Sequence, residues 1–436
     1  MAALNRIWKL HGDGRVVSAG DVVRPDERLS WPLTIGVGMQ HVVAMFGATV
    51  LIPILMKLPP TTAVFFSGVG TLIYLAFVRN KVPSYLGSSA AFIAPVLAAQ
   101  SVGGVPAALG GVVVTGAVFF LVGLLVDRTG SQVIQRIMPP LVTGTIVAVI
   151  GFNLAPIAKS QWDEGKLAAF VTLVAILVIG VAFRGFIGRI AIFLGVIVGY
   201  LFAAAQGAVD LGPIGEAAWV GLPQLTAPTF QLAAIVLVLP AVLVLIAENT
   251  GHVKAVASMT ERNLDDSLGR AYMGDGAATF VAGMGGGAGT TTYAENIGVM
   301  AATRVYSTAA YVVAALTAIL LGFIPKFSAL VGSIPPGVLG GASTVLFGLI
   351  AVLGARIWIE ARVDFRDPVN LTVAAFAVIV AAGNYEVTFG DFTFGGIALG
   401  SFGAIIAYHG LRALGGRRED IGRDVGDTPA PRPGAA

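Results

Sequence analysis

The sequence predicts an all-α polytopic membrane protein. Three observations support this fold class: an apolar composition, repeated apolar segments of spanning length, and basic residues confined to alternate loops. Of the 436 residues, 56% are hydrophobic and 12% are charged, whereas a soluble domain carries about 25% charged residues. A soluble protein this apolar could not cover its surface with polar groups. The composition therefore indicates a chain embedded in the lipid bilayer.

The same composition narrows the chemistry. The chain contains no cysteine, which excludes disulfides, thiolate nucleophiles and cysteine-based metal sites. Four histidines without an H-E-x-x-H run do not indicate any other metal site. The first thirty residues carry many charges and no apolar run, so no cleavable signal peptide is predicted. The net charge of +3 is explained by membrane topology and does not indicate a nucleic-acid partner.

Fourteen apolar segments approach the length of about 20 residues that a spanning helix needs. Several of them are short or are broken by glycine and proline. They are 33–56, 61–78, 84–101, 107–126, 138–158, 167–183, 187–207, 231–257, 271–285, 290–303, 305–324, 334–354, 368–383 and 392–411. The predicted organisation is an N-terminal segment 1–30, a first half 31–207, a connecting loop 208–230, a second half 231–412 and a disordered tail 413–436.

The basic residues fix the orientation of these segments. Cytoplasmic loops of membrane proteins are enriched in Lys and Arg. With the N-terminus in the cytoplasm, the alternating loops place nearly all of the 27 Lys and Arg inside. The four that fall outside are Lys57, Lys159, Lys166 and Lys326. Both termini are therefore predicted to be cytoplasmic, with 208–230 outside.

The count of fourteen predicts two inverted repeats of seven spans. Because each half holds an odd number of spans, the second half enters the membrane from the opposite face, as in many secondary transporters. Spans three (84–101) and ten (290–303) occupy the same place in each half. Both open with small polar residues and close with an apolar run too short to span alone.

That composition suits extended backbone followed by a half-helix. Non-helical backbone at membrane depth occurs only where protein or a cavity satisfies its polar groups, so the two interrupted segments predict a central binding site. The alternative is that both are ordinary helices whose Ser, Thr and Gly residues allow close packing.

Two acidic residues lie inside predicted spans. Glu248 and Glu295 each carry an insertion cost of about 2.5–3.5 kcal/mol if charged at the bilayer centre, and no Lys or Arg falls at matching depth. A carboxyl group shielded from water can exchange a proton near neutral pH. Both are therefore candidates for proton coupling. Alternatively, each is a protonated side chain that donates one hydrogen bond between helices.

Several neighbours are weaker candidates. His252 follows Glu248 by one helical turn, so it is either a proton relay or a group that holds the Glu248 rotamer. Asp275, near the start of span nine, is a third coupling candidate or a helix-start carboxylate. His41 in span one has a packing role or a supporting role at the site.

Three further side chains follow or precede the two glutamates. Asn249 and Asn296 each follow a glutamate and are predicted to satisfy interrupted backbone. Tyr293 is placed to offer its ring or its hydroxyl to a planar ligand.

Four motifs closely resemble the nucleobase–cation symporter-2 family, also called nucleobase–ascorbate transporters. They are Gln40–Val50, Tyr85–Ser89, Ala247–His252 and Thr292–Met300. The resemblance extends from about residue 30 to 412. It implies a core domain and a gate domain, a short antiparallel strand in each of spans three and ten, a homodimer, and an elevator-like motion.

The resemblance also implies roles for residues. Glu248 and Glu295 would hydrogen-bond the nucleobase, with His252 beside Glu248 in the proton pathway. The backbone at Tyr293 and Ala294 would contact the ligand. Ser89 and Ala90 would face the ligand from span three, and Asp275 stands where purine-transporting relatives carry a functional aspartate.

The substrate class is inferred from position 295. Relatives that take xanthine or urate tend to carry Gln there, and the Glu-Asn-Ile-Gly run resembles the uracil branch. A carboxylate can accept two N–H groups of a pyrimidine-dione edge. Uracil permeases often carry Phe where Ala90 stands and Gly where Ala294 stands, so larger purine bases remain possible substrates.

The sequence therefore predicts a uracil importer of the bacterial inner membrane, driven by proton symport and without a cofactor. The nearest alternative is a purine or broad-specificity nucleobase:proton symporter. An anion transporter of the same fold is more distant, because such proteins usually append a soluble domain and two buried acids disfavour an anion. An intramembrane enzyme would need a nucleophile–base pair or metal cluster, which the sequence lacks. A channel would need no protonatable ligand at a closed site.

Overall fold

A computed structural model of the chain describes residues 7–18, 20–389 and 392–426. The described part is predominantly helical. Its α-helices are α1 Trp31–Leu55, α2 Pro60–Phe77, α3 Ile93–Thr129, α4 Gln132–Ile137, α5 Pro140–Asn153, α6 Ala155–Asp163, α7 Lys166–Ala182, α8 Phe186–Arg189, α9 Ala191–Ala205, α10 Gly212–Glu216, α11 Leu232–Val238, α12 Ala241–Thr260, α13 Leu268–Gly285, α14 Ala294–Thr303, α15 Thr308–Gly322, α16 Pro325–Gly332, α17 Pro336–Glu360, α18 Pro368–Ala382 and α19 Gly396–Gly426. The strands are β1 Lys9–Leu10, β2 Glu27–Arg28, β3 Leu86–Ser88, β4 Thr290–Thr292, β5 Val387–Phe389 and β6 Phe392–Phe394.

Long apolar helices dominate this architecture. Within the described residues, 7 helical stretches are long and apolar enough to cross a membrane, and the pair α15 and α16, bent by 85°, is an eighth candidate. Three shorter apolar helices are α7, α9 and α18. Each predicted span overlaps a helix, which agrees with an all-α polytopic membrane protein. The number of fourteen crossings stays a prediction.

Helix α3 contains a break that separates two predicted spans. Gly103 has φ −149° and ψ 21°, and Gly104 has φ 70° and ψ −174°, so neither is helical. A positive φ costs glycine little because it lacks a Cβ atom. The break leaves a half-helix at 93–102 and a longer helix at 105–129, as expected for spans three and four.

A two-stranded sheet lies at the centre of the fold. Strands β3 and β4 pair antiparallel, with Leu86 opposite Thr292 and Ser88 opposite Thr290. The half-helix of α3 follows β3, and α14 follows β4. These are the two segments for which the sequence predicts extended backbone. The alternative that both begin as ordinary helices is therefore wrong.

The helices pack as two groups, each drawn from both halves of the chain. The first, here called the core group, consists of α1, α2, α3 and α11–α15, with α13 against α2 and α3 as its tightest packing. The second, the gate group, consists of α5–α7, α9 and α17–α19, organised around α17. The two groups touch mainly where α12 meets α5 and where α9 meets α1. The central sheet belongs to the core group.

The segment before α1 folds against the core group. Strands β1 and β2 pair in parallel, and the Trp8 indole N–H donates to Thr308 Oγ1 at 2.7 Å. Val23 is buried and forms a β-bridge with Val305. The N-terminal segment therefore packs on the connection between α14 and α15.

The loop 208–230 links the two groups on the opposite end. Gly221 N donates to Phe323 O at 3.0 Å and Thr229 N donates to Pro106 O at 2.9 Å, so the loop covers the ends of core helices. At the other terminus, α19 continues to Gly426 and thus runs into the segment 413–436 predicted to be disordered. The remainder of that segment, 427–436, lies outside the described residues.

Candidate functional site

Glu248 lies in the middle of α12, with 9% of its surface exposed. The Ser89 hydroxyl donates to its Oε2 at 3.3 Å. Ser89 also accepts a hydrogen bond from Ala91 N at 3.2 Å, because it caps the short helical turn Ala90–Phe92 that opens the half-helix. Ala90 is buried directly beside it. The start of the first half-helix therefore faces the Glu248 carboxyl group.

Glu295 lies in the first turn of α14, directly after β4, and is half-buried. An acidic side chain at this end of a helix is favoured by the helix dipole. Ala294 is also partly exposed, and α12 packs against α14. Glu248 and Glu295 thus approach the central sheet from two adjacent helices of the core group.

Tyr293 connects strands β3 and β4. Its hydroxyl donates to Ser88 O at 2.9 Å, and its ring lies over Gly87, where an added Cβ would be 2.4 Å from Tyr293 Cζ. The Tyr293 amide donates to Tyr85 O at 3.1 Å. The sequence predicted a ring or hydroxyl offered to a ligand, but the hydroxyl donates within the protein instead.

His252 is nearly fully buried one turn after Glu248. Its Nδ1 lies 2.8 Å from Thr292 Oγ1, so the ring pairs with strand β4 rather than with the Glu248 carboxylate. The direct carboxylate–imidazole pair that the spacing suggested is therefore not formed. A role for His252 in proton transfer stays a prediction.

Asp275 is fully buried within α13. The helix begins at Leu268, two turns earlier, so the interpretation of Asp275 as a helix-start carboxylate is wrong. Its carboxylate accepts from Asn249 Nδ2 at 2.8 Å and from Thr290 Oγ1 at 2.7 Å. Asp275 therefore ties α12 and β4 to α13 behind the central sheet.

His41 and Asn296 form a separate contact between α1 and α14. Asn296 Nδ2 donates to His41 O at 3.0 Å, and the His41 ring packs on Tyr311 with 4.3 Å between ring centroids. Asn249 likewise bonds Asp275 and the Leu245 carbonyl. Neither asparagine bonds the interrupted backbone as predicted; each joins the side chains or carbonyls of helices.

Sequence reasoning missed the side chains of strand β4. Thr290 contacts Asp275, and Thr292 contacts both His252 and Asn249 Oδ1, the latter at 3.4 Å. Alternate residues of a strand point to the same face, so the run Thr290–Thr292 directs two hydroxyls towards α12 and α13. The threonine run was the available signal, but it was interpreted only as a sign of extended backbone.

The site is acidic and polar without a basic partner. Among the residues that the structure describes, no ion pair includes Glu248, Glu295 or Asp275. Carboxyl groups accept N–H donors when ionised and donate one O–H when protonated. The arrangement suits a neutral ligand rich in N–H and C=O groups and is unfavourable for an anion.

Comparison with known proteins identifies the family. The family model Xan_ur_permease, described as a permease family, matches residues 33–389. The chain belongs to this family. It is the nucleobase–cation symporter-2 family, whose motifs the sequence resembles. The protein is therefore a permease, a multi-pass membrane protein and not an enzyme.

Curated relatives cover most of the permease. RutG of Escherichia coli K12, which carries the words pyrimidine permease in its name, is 47% identical over 426 residues, 94% of each chain. The uracil permease of Paenibacillus larvae is 40% identical over 88% of this chain and 95% of its own. The uracil permease of Escherichia coli K12 is 42% identical over 84% of this chain and 88% of its own.

Solved structures share the fold at low identity. The transmembrane domain of the cyanobacterial bicarbonate transporter BicA has a TM-score of 0.59 at 14% identity, covering 80% of the permease and 96% of that domain. SLC26A9 has a TM-score of 0.62 at 11% identity, covering 85% of the permease and 63% of that chain. These likenesses show the fold alone.

Proposed function

We propose that the permease imports uracil by proton symport. The observation that carries this proposal is the pair of glutamates, Glu248 and Glu295, that reach the central strand pair without a basic partner. Relatives named uracil permease at 40–42% identity support the choice of substrate. The acidic residue at 295 supports it independently, since a carboxylate accepts the N–H groups of a pyrimidine-dione edge.

The two half-helices suggest how the nucleobase is held. Glu295 accepts the ring N–H groups, and the backbone at Tyr293 and Ala294 contacts the edge of the base. Glu248 supplies the second carboxyl group, and Ser89 orients it through the bond to Oε2. Free backbone N–H groups at the start of a helix are ready donors for carbonyl oxygens.

Proton coupling follows from a change in the protonation of Glu248. A protonated Glu248 leaves one charge fewer to be moved across the membrane with the neutral substrate, so substrate and proton are taken up together. Glu295, His252 and Asp275 are the further members of the proposed coupling set. The proton is the coupling ion, and no other cofactor is required.

The two helix groups suggest an elevator motion. The binding residues all belong to the core group, and the contacts between the groups are sparse, so the core group can slide against the gate group. We assign the permease two inverted repeats of seven spans, a homodimeric assembly, both termini in the cytoplasm, and the bacterial inner membrane. Inverted repeats with a central site are common among secondary transporters.

A purine or broad nucleobase specificity is the second candidate, and Ala90 is the observation that favours it. This small buried side chain lies at the start of the first half-helix, next to Ser89. An aromatic residue there would stack on a pyrimidine and fill the space of a second ring. Alanine carries no such ring.

A binding measurement separates the candidates. The purified permease in detergent is titrated with labelled uracil, and unlabelled uracil, xanthine and guanine serve as competitors. The proposal predicts that uracil displaces the label and purines do not, and that Glu295→Gln weakens uracil binding more than tenfold. Displacement by purines at the same concentration as uracil would establish the broad-specificity alternative.

A further inference from the structure

A chain of hydrogen bonds connects Asp275 to His252 behind the binding residues. Asn249 Nδ2 donates to Asp275 Oδ2 at 2.8 Å, Thr292 Oγ1 donates to Asn249 Oδ1 at 3.4 Å, and Thr292 Oγ1 lies 2.8 Å from His252 Nδ1. All four residues are buried. The direction of each bond decides which nitrogen of His252 carries the proton.

The direction is fixed at the Asp275 end. The amide orientation of an asparagine is inferred from its partners. Asn249 Nδ2 faces two acceptors, the Asp275 carboxylate and the Leu245 carbonyl, the latter at 3.1 Å. Only the amide nitrogen can donate to both, so Asn249 Oδ1 must be the atom that faces Thr292.

The single hydroxyl proton of Thr292 can then serve only one neighbour. If Thr292 donates to Asn249 Oδ1, then Thr292 Oγ1 accepts a hydrogen bond from His252 Nδ1–H. The lone pair of Nε2 is then the one group of this chain left without a hydrogen-bond partner. If Thr292 donates to His252 Nδ1 instead, two buried groups lack a hydrogen-bond partner: Asn249 Oδ1 and the N–H at His252 Nε2. Each buried polar group without a partner is destabilising, so the first arrangement, which leaves only one such group, is favoured.

The first arrangement leaves a buried proton acceptor on the helical turn that follows Glu248. His252 Nε2 is buried without a hydrogen-bond partner among the residues that the structure describes, and His252 lies one helical turn from Glu248. In the proposed coupling, the proton that Glu248 releases is taken up at Nε2. The imidazolium that forms already has an acceptor for its other N–H in Thr292.

We infer that Thr292 is a positioning residue for proton coupling. Its hydroxyl, oriented by Asn249 and through it by Asp275, holds neutral His252 as the Nδ1–H tautomer and keeps Nε2 free to accept a proton. This inference rests on the proposed proton coupling. It deepens that proposal by naming the residue that sets the state of the ring.

The tautomer can be read directly by NMR. The permease is labelled with ¹⁵N-histidine, placed in lipid nanodiscs at alkaline pH, and recorded with long-range ¹H–¹⁵N correlation, which distinguishes protonated from bare ring nitrogens. The chain has four histidines, and the His252 signals are those that vanish in His252→Gln. The inference predicts a protonated Nδ1 and a bare Nε2 in the unmodified protein.

Variants test the cause. Thr292→Val keeps the β-branched shape of the strand residue but removes the hydroxyl, and Asn249→Leu removes the acceptor that orients it. Both are expected to shift His252 towards the Nε2–H tautomer, whereas Thr292→Ser keeps the pattern. The matched control is Thr145→Val in the gate group, where a buried threonine hydroxyl bonds, among the described residues, only the Leu141 carbonyl at 2.8 Å.

The outcomes are separable from those of the proposed function. A protonated Nε2 in the unmodified permease, or an unchanged tautomer in Thr292→Val, overturns the inference, and the first of these needs no variant to fold. Proton-driven uracil uptake by Thr292→Val is expected to fall about tenfold, the effect of one lost buried hydrogen bond, while uracil binding persists. If the tautomer is as predicted but uracil uptake does not depend on the proton gradient, the proposed symport is wrong and the positioning of His252 by Thr292 is still supported.

Discussion

Tyr293 and Gly87 face each other across the strand pair so closely that no side chain fits at position 87. A Cβ atom there would lie 2.4 Å from Tyr293 Cζ and 2.6 Å from Thr49 Oγ1. The Tyr293 hydroxyl meanwhile donates to Ser88 O at 2.9 Å. The ring and hydroxyl of Tyr293 therefore hold strand β3 in place. Tyr293 directly precedes Ala294 and Glu295 in the chain. The geometry of the proposed binding site depends on this contact.

Gly87→Ala is expected to destabilise the permease and reduce uracil binding. Overpacking a buried site costs about 1–3 kcal/mol, and here the ring must move away from the strand. The measurement is thermal unfolding in detergent together with uracil affinity. Gly36→Ala is the matched control, because no atom lies within 4 Å of a Cβ added there. Equal behaviour of the two variants would contradict the proposed contact.

Tyr293→Phe is expected to weaken the strand pair without filling new space. The variant loses one buried hydrogen bond, worth about 0.5–1.5 kcal/mol, while the ring still covers Gly87. Uracil affinity should fall by roughly threefold to tenfold, and the melting temperature should fall less than in Gly87→Ala. An affinity loss above a hundredfold would indicate that the hydroxyl contacts the ligand itself, as the sequence first suggested.

Ala90→Phe tests the space at the start of the first half-helix. A phenyl ring beside Ser89 would supply a stacking face for a pyrimidine and occupy the volume that a purine needs. If purines compete with uracil for uptake by the unmodified permease, this competition is therefore expected to disappear in Ala90→Phe while uracil uptake continues. Stronger purine competition in Ala90→Phe would place this residue away from the ligand.

The predicted topology is testable because the chain contains no cysteine. Lys159 and Arg136 are both exposed, and the distribution of basic residues places the first outside and the second inside. In intact cells a membrane-impermeant maleimide should label Lys159→Cys but not Arg136→Cys. Permeabilised cells should show labelling of both. The reverse pattern in intact cells would invert the assignment of both termini.

The sequence was sufficient to locate the helices and the acidic site. Lipid requires long apolar segments, and the small polar residues that open spans three and ten have few roles at that depth other than extended backbone. The positions of β3, β4, Glu248 and Glu295 follow from those constraints. They are local properties of the chain and can be recognised without a structure.

Other features depend on contacts between distant parts of the chain. Trp8 bonds Thr308, 300 positions away, and His252 bonds Thr292 rather than its helical neighbour Glu248. The start of α13 at Leu268 follows a left-handed turn at Glu261, with φ 51°. Composition carries no signal for that turn, so a helix-start carboxylate stayed an alternative for Asp275 although the residue lies two turns inside α13.

The central claim is that buried carboxyl groups couple uracil import to the proton gradient. The most direct measurement is uptake of labelled uracil into proteoliposomes with an imposed inward proton gradient, compared with collapsed gradients and with Glu248→Gln. The proposal predicts accumulation that requires the gradient and is lost in Glu248→Gln. Equal uptake with the gradient collapsed, or gradient-driven uptake that persists in Glu248→Gln, would contradict it.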